Sequence, residues 1–226
     1  ITGSETSGSL TVTTQDGNDT VTAVNTSGAA TLILGAGDNT VTANSTLTGT
    51  LVINSGSGID TVSATGVTTG TVNLNLGDGD NVLTIGGTAL TSGTVSLTTG
   101  AGADTYTIGS ATAPTAKVTI AAGAGDDTIT VNGTGAGAGR TWATGSKLTV
   151  DGGDGNDLLI LETGTNLTSA TTTLTGIETI RVTGTAGAGN NTNVNFKAST
   201  LSGKTFAIQA DGTAGEGFTV TGASTT

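Results

Sequence analysis

The Asp and Asn side chains of this chain recur in a five-residue pattern. Eleven of its 13 Asp residues lie in seven such segments, at 15–19, 35–39, 56–60, 77–81, 100–104, 123–127 and 153–157. The third position is Gly in all seven segments, and the fifth is Asp in five and Asn in two. The first five spacings between successive fifth positions are 20, 21, 21, 23 and 23 residues, and the sixth is 30. The pattern therefore predicts one Gly-x-Gly-x-Asp turn per structural repeat.

A stack of such turns could bind hard cations. Glycine adopts positive φ and allows backbone carbonyls to converge, while Asp supplies an anionic oxygen at the end of the turn. Ca²⁺ accepts six to eight oxygen ligands in flexible geometry, whereas Mg²⁺ requires a stricter octahedron. We therefore predict several Ca²⁺ ions along one edge, with these ligands: Gly17, Asp19, Gly37, Asp38, Asn39, Gly58, Asp60, Gly79, Asp80, Asn81, Gly102, Asp104, Gly125, Asp126, Asp127, Asp154, Gly155 and Asp157.

The alternative is that these are Asx-type turns that need no metal, since Asn and Asp side chains hydrogen-bond to nearby backbone. Ca²⁺ is the favoured interpretation because stacked turns would place like charges ~5 Å apart, the spacing of neighbouring strands.

The composition excludes several classes of function. The chain has no His, Cys or Met, so zinc sites of the usual kind, disulfides and His-based catalytic triads are ruled out. Its net charge is −11, and all six basic residues lie at or after Lys117, which disfavours nucleic acid as a partner. No apolar stretch approaches the ~18 residues of a transmembrane helix, so no membrane insertion is expected. Because the chain starts at Ile1, we interpret it as an internal or processed segment of a longer protein.

The segments on both sides of each turn alternate apolar and polar residues, which is typical of strands with one buried face. Four apolar columns result: Leu10, Ala30, Leu51, Val72, Val95, Val118, Leu148; Val12, Leu32, Ile53, Leu74, Leu97, Ile120, Val150; Val21, Val41, Val62, Leu83, Tyr106, Ile129, Leu159; and Ala23, Ala43, Ala64, Ile85, Ile108, Val131, Leu161. Each repeat thus predicts a strand, a tight turn, a second strand and a longer return loop. We predict an all-β fold, a right-handed parallel β-solenoid of about seven coils.

The regular pattern weakens after Leu161. We therefore divide the chain into calcium-binding solenoid repeats at 1–161 and a less regular continuation or C-terminal cap at 162–226. The second part holds all three Phe residues of the chain, Phe196, Phe206 and Phe218. A long insertion at 132–146 holds Arg140 and Trp142.

Residues 152–160, GGDGNDLLI, match the RTX nonapeptide Gly-Gly-x-Gly-x-Asp-x-hydrophobic-x, and 100–106 and 123–129 match it from the second Gly onward. The chain thus resembles RTX-type calcium-binding β-roll repeats, which are found in bacterial surface-layer proteins and large RTX surface adhesins. The resemblance implies Ca²⁺ at the turns. RTX rolls carry a motif at both turns of a coil, whereas this chain has one per coil, so ions are expected along one edge only.

These features favour a structural, non-enzymatic segment at the bacterial cell surface. We expect an extracellular, Ca²⁺-stabilised solenoid that associates with itself in a surface layer or filament. One alternative is an adhesin that binds a cell-surface glycan. Another is an ice-binding face, since Thr-x-Thr recurs at Thr20 and Thr22, Thr40 and Thr42, and Thr105 and Thr107. A β-helix polysaccharide lyase is the least favoured alternative.

Overall fold

A computed structural model describes residues 1–5, 8–25, 28–43, 48–86, 90–109, 115–132, 140–141, 144–162, 165–167, 170–183 and 207–210. The regular secondary structure of these residues consists of β-strands, and most of the strands belong to two parallel sheets. The described part of the chain contains no helix with the length and hydropathy needed to cross a membrane.

The larger sheet has ten strands: β1 (Thr2–Glu5), β3 (Thr20–Asn25), β5 (Thr40–Thr42), β7 (Thr61–Ala64), β9 (Val82–Ile85), β11 (Thr105–Gly109), β13 (Thr128–Asn132), β16 (Leu158–Glu162), β19 (Thr179–Thr183) and β20 (Ala207–Ala210). The other has eight: β2 (Ser9–Thr13), β4 (Ala29–Ile33), β6 (Thr50–Asn54), β8 (Thr71–Asn75), β10 (Thr94–Thr98), β12 (Lys117–Ala121), β15 (Lys147–Asp151) and β18 (Thr171–Thr175). A short parallel pair joins β14 (Arg140–Thr141) to β17 (Thr165–Asn166).

The chain alternates between the two large sheets, so each strand pairs with the equivalent strand of the next repeat. The register is constant: Val72 pairs with Val95, Val95 with Val118, and Val118 with Leu148. Each of the seven motif turns joins a strand of the eight-stranded sheet to a strand of the ten-stranded sheet. The predicted parallel β-solenoid is therefore confirmed.

The core is the thin aliphatic layer between the two sheets. Nearly all residues of the four predicted columns are buried, because period-two alternation turns them to one face of each strand. Leu10 is half-buried in the outermost strand of its sheet, and the side chain of Ala23 lies outside the described residues. The column that begins with Val21 also accommodates Tyr106, whose hydroxyl lies 2.5 Å from Thr99 Oγ1 inside the core.

The stacking continues past residue 161. Strand β18 pairs with β15, β19 with β16, and β20 with β19. The first part of the 162–226 segment therefore extends the two sheets. Phe196, Phe206 and Phe218 of this segment lie outside the described residues, as does Trp142 of the long insertion.

Candidate metal site at the turn edge

The seven motif turns stack to form one edge of the solenoid, called the turn edge below. At each third position the backbone has positive φ, between 120° and 149°. The third-position N–H donates to the second-position carbonyl of the next coil, as from Gly37 to Ser57 (2.7 Å) and from Gly102 to Ala124 (2.8 Å). A Cβ at Gly79 would overlap the carbonyl group of Gly58 in the preceding coil. Glycine is required here both for φ and for the close approach of successive turns.

The fifth-position side chains point inward and form a continuous line, which we call the Asx column: Asp19, Asn39, Asp60, Asn81, Asp104, Asp127 and Asp157. All except Asp19 are at most 1% exposed. The backbone N–H of each member donates to Oδ1 of the next, at 2.7–3.1 Å. The column is thus a ladder of side chain to backbone hydrogen bonds that ties every coil to its neighbour.

Glu178 extends the hydrogen-bond ladder of the Asx column by one further residue. It lies 21 residues after Asp157, and its Oε2 accepts the backbone N–H of Asp157 at 2.9 Å. The sequence interpretation did not include Glu178 among the site residues. The repeat spacing, together with the preceding Gly176, was the signal that could have identified it.

Asn and Asp members of the column differ in the second terminal atom of the side chain, which is Nδ2 in Asn and Oδ2 in Asp. In Asn81, Nδ2 donates to the carbonyl oxygens of Gly77 (3.3 Å) and Gly79 (2.8 Å) in its own turn. Asn39 Nδ2 donates in the same way to Gly35 (3.3 Å) and Gly37 (2.9 Å). The amide groups therefore satisfy the first- and third-position carbonyls of their turns.

The corresponding oxygen of each Asp has no hydrogen-bond partner. The Oδ2 atoms of Asp19, Asp60, Asp104, Asp127 and Asp157 are all buried and unpaired. Oδ1 has the same role in Asp and Asn, so Oδ2 of each Asp takes the place that Nδ2 takes in Asn. At the Asn turns this atom donates to carbonyl oxygens, whereas the Asp oxygen can only accept a hydrogen bond. A buried acceptor without a partner is unfavourable, so this place calls for a positively charged or hydrogen-bearing group.

The remaining predicted Asp residues lie on the outside of the turns and are exposed. Asp38 Oδ1 accepts the N–H of Ile59, Asp80 Oδ1 that of Ala103, and Asp126 Oδ1 that of Asn156, at 2.8–2.9 Å. Asp154 is also exposed. The side chains of Asp38, Asp80 and Asp126 thus belong to a second, solvent-facing ladder, and none of the four exposed Asp residues joins the buried carboxylates.

Burial raises the pKa of four carboxyls in the Asx column, those of Asp60, Asp104, Asp127 and Asp157. It is the main cause of the raised pKa values of Asp60, Asp104 and Asp157, which hydrogen-bond donors partly offset. The pKa of Asp127 is raised to about 7, again mainly by burial and further by the charges of Asp104, Asp157 and Asp126. A positive charge beside the column would offset the cost of burying these carboxylates and would reduce the repulsion between them.

The donors at each Asp position are one buried carboxylate oxygen and the carbonyls of the same turn. Among the described residues, no three carboxylate side chains come together as a metal-binding group. An ion here would therefore rely on backbone carbonyls and water beside a single carboxylate, a mixed oxygen set that Ca²⁺ tolerates. The residues present fit a hard cation of this kind at the Asp positions, because an unpaired anionic oxygen is available at each.

The structure thus brings the predicted fifth-position residues together in one column and separates from them Asp38, Asp80, Asp126 and Asp154.

Comparison of the chain with protein-family models, with curated proteins and with solved structures gives no match.

Proposed function

We propose that this chain is a structural, non-enzymatic solenoid segment that acts as a stiff spacer or assembly unit. The supporting observation is the constant register of both sheets together with the unbroken Asx column. Each coil makes the same backbone and side-chain hydrogen bonds to the next, so adding coils lengthens the rod without changing its cross-section.

We further propose that Ca²⁺ stabilises the turn edge. The Asp members of the Asx column would hold the ions with Oδ2 and with the carbonyls of their turns. When bound, Ca²⁺ supplies positive charge beside buried carboxylates that otherwise lack a partner. The support comes from the five unpaired Oδ2 atoms and from the net charge of −11.

Circular dichroism tests the Ca²⁺ proposal. The β signal and the thermal midpoint should fall in EDTA and recover at ~10⁻⁴–10⁻³ M Ca²⁺, the range of extracellular modules. Mg²⁺ at the same concentration is the control and should restore less. An unchanged β signal and midpoint in EDTA would contradict the proposal.

The open edges of the sheets support self-association. Among the described strands, β1 and β2 are outermost at one end, and β20 and β18 at the other. Exposed backbone groups of an edge strand can pair with another chain. Light scattering should therefore rise on adding Ca²⁺ and fall on chelation, and a Ca²⁺-folded protein that stays monomeric at high concentration would contradict assembly. A location at the bacterial cell surface, where such an assembly would function, is part of the same proposal.

A second candidate is an ice-binding face on the ten-stranded sheet. Two ranks of small hydroxyl residues lie in register on its outer side: Thr20, Thr40, Thr61, Thr105 and Thr128, interrupted by Val82, and Thr22, Thr42, Ser63, Thr84, Thr107 and Thr130. Thermal hysteresis of the Ca²⁺-folded protein tests it. Thr105→Lys should abolish the hysteresis, whereas Thr119→Lys on the opposite sheet should not.

A further inference from the structure

The residue directly before each turn correlates with the fifth position of that turn. Leu34 and Leu76 precede the two turns that end in Asn. The five turns that end in Asp are preceded by small or hydroxyl residues: Thr14, Ser55, Thr99, Ala122 and Gly152. No Asp turn has a large apolar residue at this position, and both Asn turns do.

This preceding residue lies beside the second terminal atom of the fifth-position side chain. A Cβ placed at Gly152 would lie 2.6 Å from Asp157 Oδ2. Ser55 Oγ lies 3.1 Å from Asn39 Nδ2 in the preceding coil. The Ser55 and Thr99 hydroxyls are also close enough to Asp60 and Asp104 to lower their pKa values, against the larger effect of burial.

Size and polarity at this position therefore control what can occupy the space next to the Asx column. Leu34 and Leu76 are at most 5% exposed, and they stand before Asn39 and Asn81 at the position that Gly152 takes before Asp157. The amides of these two Asn residues already donate to their turn carbonyls. The residues directly before the Asp turns offer only a hydroxyl, a methyl or no side chain, and each of these Asp residues has an unpaired Oδ2 atom. At Asp19 the Thr14 Oγ1 atom is also buried and unpaired.

We propose that the Asx column has two kinds of position: ion-free positions at Asn39 and Asn81, where the side-chain amide replaces the cation, and cation-binding positions at the five Asp residues. The identity of the cation as Ca²⁺ rests on the function proposed above. The division into two kinds rests on the amide contacts, the unpaired oxygens and the preceding residues.

The test compares Asp127→Asn with Asp126→Asn in the 226-residue protein. In EDTA at pH 8, Asp127→Asn should raise the thermal midpoint by ~3 °C or more, because an amide donor replaces an unpaired acceptor. Asp126→Asn is the control: its side chain is exposed and keeps an oxygen to accept the N–H of Asn156, so the midpoint should hardly change. Calorimetric titration with Ca²⁺ should show about one ion fewer for Asp127→Asn than for the control.

The reverse variant, Asn81→Asp, should lower the midpoint in EDTA, and Ca²⁺ should not restore it, because Leu76 fills the adjacent space. A gain of one bound Ca²⁺ in Asn81→Asp would overturn the assignment of ion-free positions. An unchanged or lower midpoint for Asp127→Asn in EDTA would overturn the amide replacement, even if the wild-type protein binds Ca²⁺.

The outcomes also separate this inference from the function on which it rests. If the wild type binds no Ca²⁺ but Asp127→Asn still raises the midpoint at pH 8, the amide replacement is supported and the Ca²⁺ role fails. If that gain disappears at pH 5 and no metal ion has an effect, the occupant of the Asp positions is a proton, which overturns the cation-binding assignment.

Discussion

The two halves of the Asx column share one backbone arrangement but differ in charge. In the first half, Asp19, Asn39, Asp60 and Asn81 alternate an acid with an amide. In the second half, Asp104, Asp127 and Asp157 follow one another without a neutral member, and Glu178 continues the ladder beyond them. The ladder distances are similar in both halves, so geometry alone does not distinguish them.

The difference shows that the two oxygens of each carboxylate have separate roles. Oδ1 holds the coils together, and an Asn oxygen serves equally well. The second atom decides whether a buried negative charge is left without a partner, and three consecutive Asp residues, Asp104, Asp127 and Asp157, leave such an oxygen between β10 and β16. Burial is the main cause that raises the pKa of Asp127 to about 7, and the charges of Asp104 and Asp157 on either side raise it further.

Chelation should have the largest effect, and it should act mainly on the second half. Three consecutive unpaired carboxylates would each cost ~1–3 kcal/mol without a cation. In EDTA, amide hydrogen exchange should accelerate more in β12, β13, β15 and β16 than in β4 to β8. Equal acceleration in both halves would mean that they respond as one cooperative unit, which contradicts a greater need for cations in the second half.

Removing a turn glycine should destabilise both halves alike. Gly102 has φ +144° and Gly37 has φ +129°, and a Cβ at either would overlap the preceding turn. Gly102→Ala and Gly37→Ala should each cost ~2–4 kcal/mol, from strained φ and displaced backbone. Urea denaturation measures the loss, with the exposed Ala101→Gly as a control expected to cost under ~1 kcal/mol. A loss at Gly102 alone would show that the backbone arrangement is not shared.

Lowering the pH should stabilise the protein in EDTA, where no metal ion is bound. A carboxyl whose folded-state pKa lies above its unfolded value binds protons preferentially in the folded state. Its contribution to stability is fully present below about pH 4 and is lost as pH rises through about 7 for Asp127. In EDTA the thermal midpoint should therefore rise from pH 8 to pH 5. Asp127→Asn should flatten this rise, while a midpoint that falls toward pH 5 would contradict buried, raised-pKa carboxyls.

The sequence predicted the sheets better than the turn chemistry. Alternation in residues such as Val95 and Leu97 indicates a strand and its buried face, because side chains alternate along any extended chain. It does not indicate which acid of a turn points inward, and so Asp126 and Asp127 were assigned the same role. That distinction depends on the backbone path after Gly125, which only three-dimensional stacking determines. The pairing of Leu76 with Asn81 is visible in the sequence, but its meaning depends on knowing that the two positions adjoin the same space.

The smallest expected effect concerns the outer ladder of the turn edge. Asp80 is exposed, its Oδ1 accepts the N–H of Ala103 at 2.8 Å, and its charge is the smallest of the influences that raise the pKa of Asp104. Asp80→Asn keeps the acceptor and removes the charge, so stability should change by less than ~0.5 kcal/mol, as for most surface substitutions. Asp80→Ala also removes the acceptor and should cost ~0.5–1.5 kcal/mol, the net value of one hydrogen bond. Urea denaturation of the two variants separates the effects of hydrogen bonding and charge. If Asp80→Asn costs as much as Asp80→Ala, charge dominates at the outer ladder, and the exposed Asp residues would share the cation-binding role assigned to the buried column.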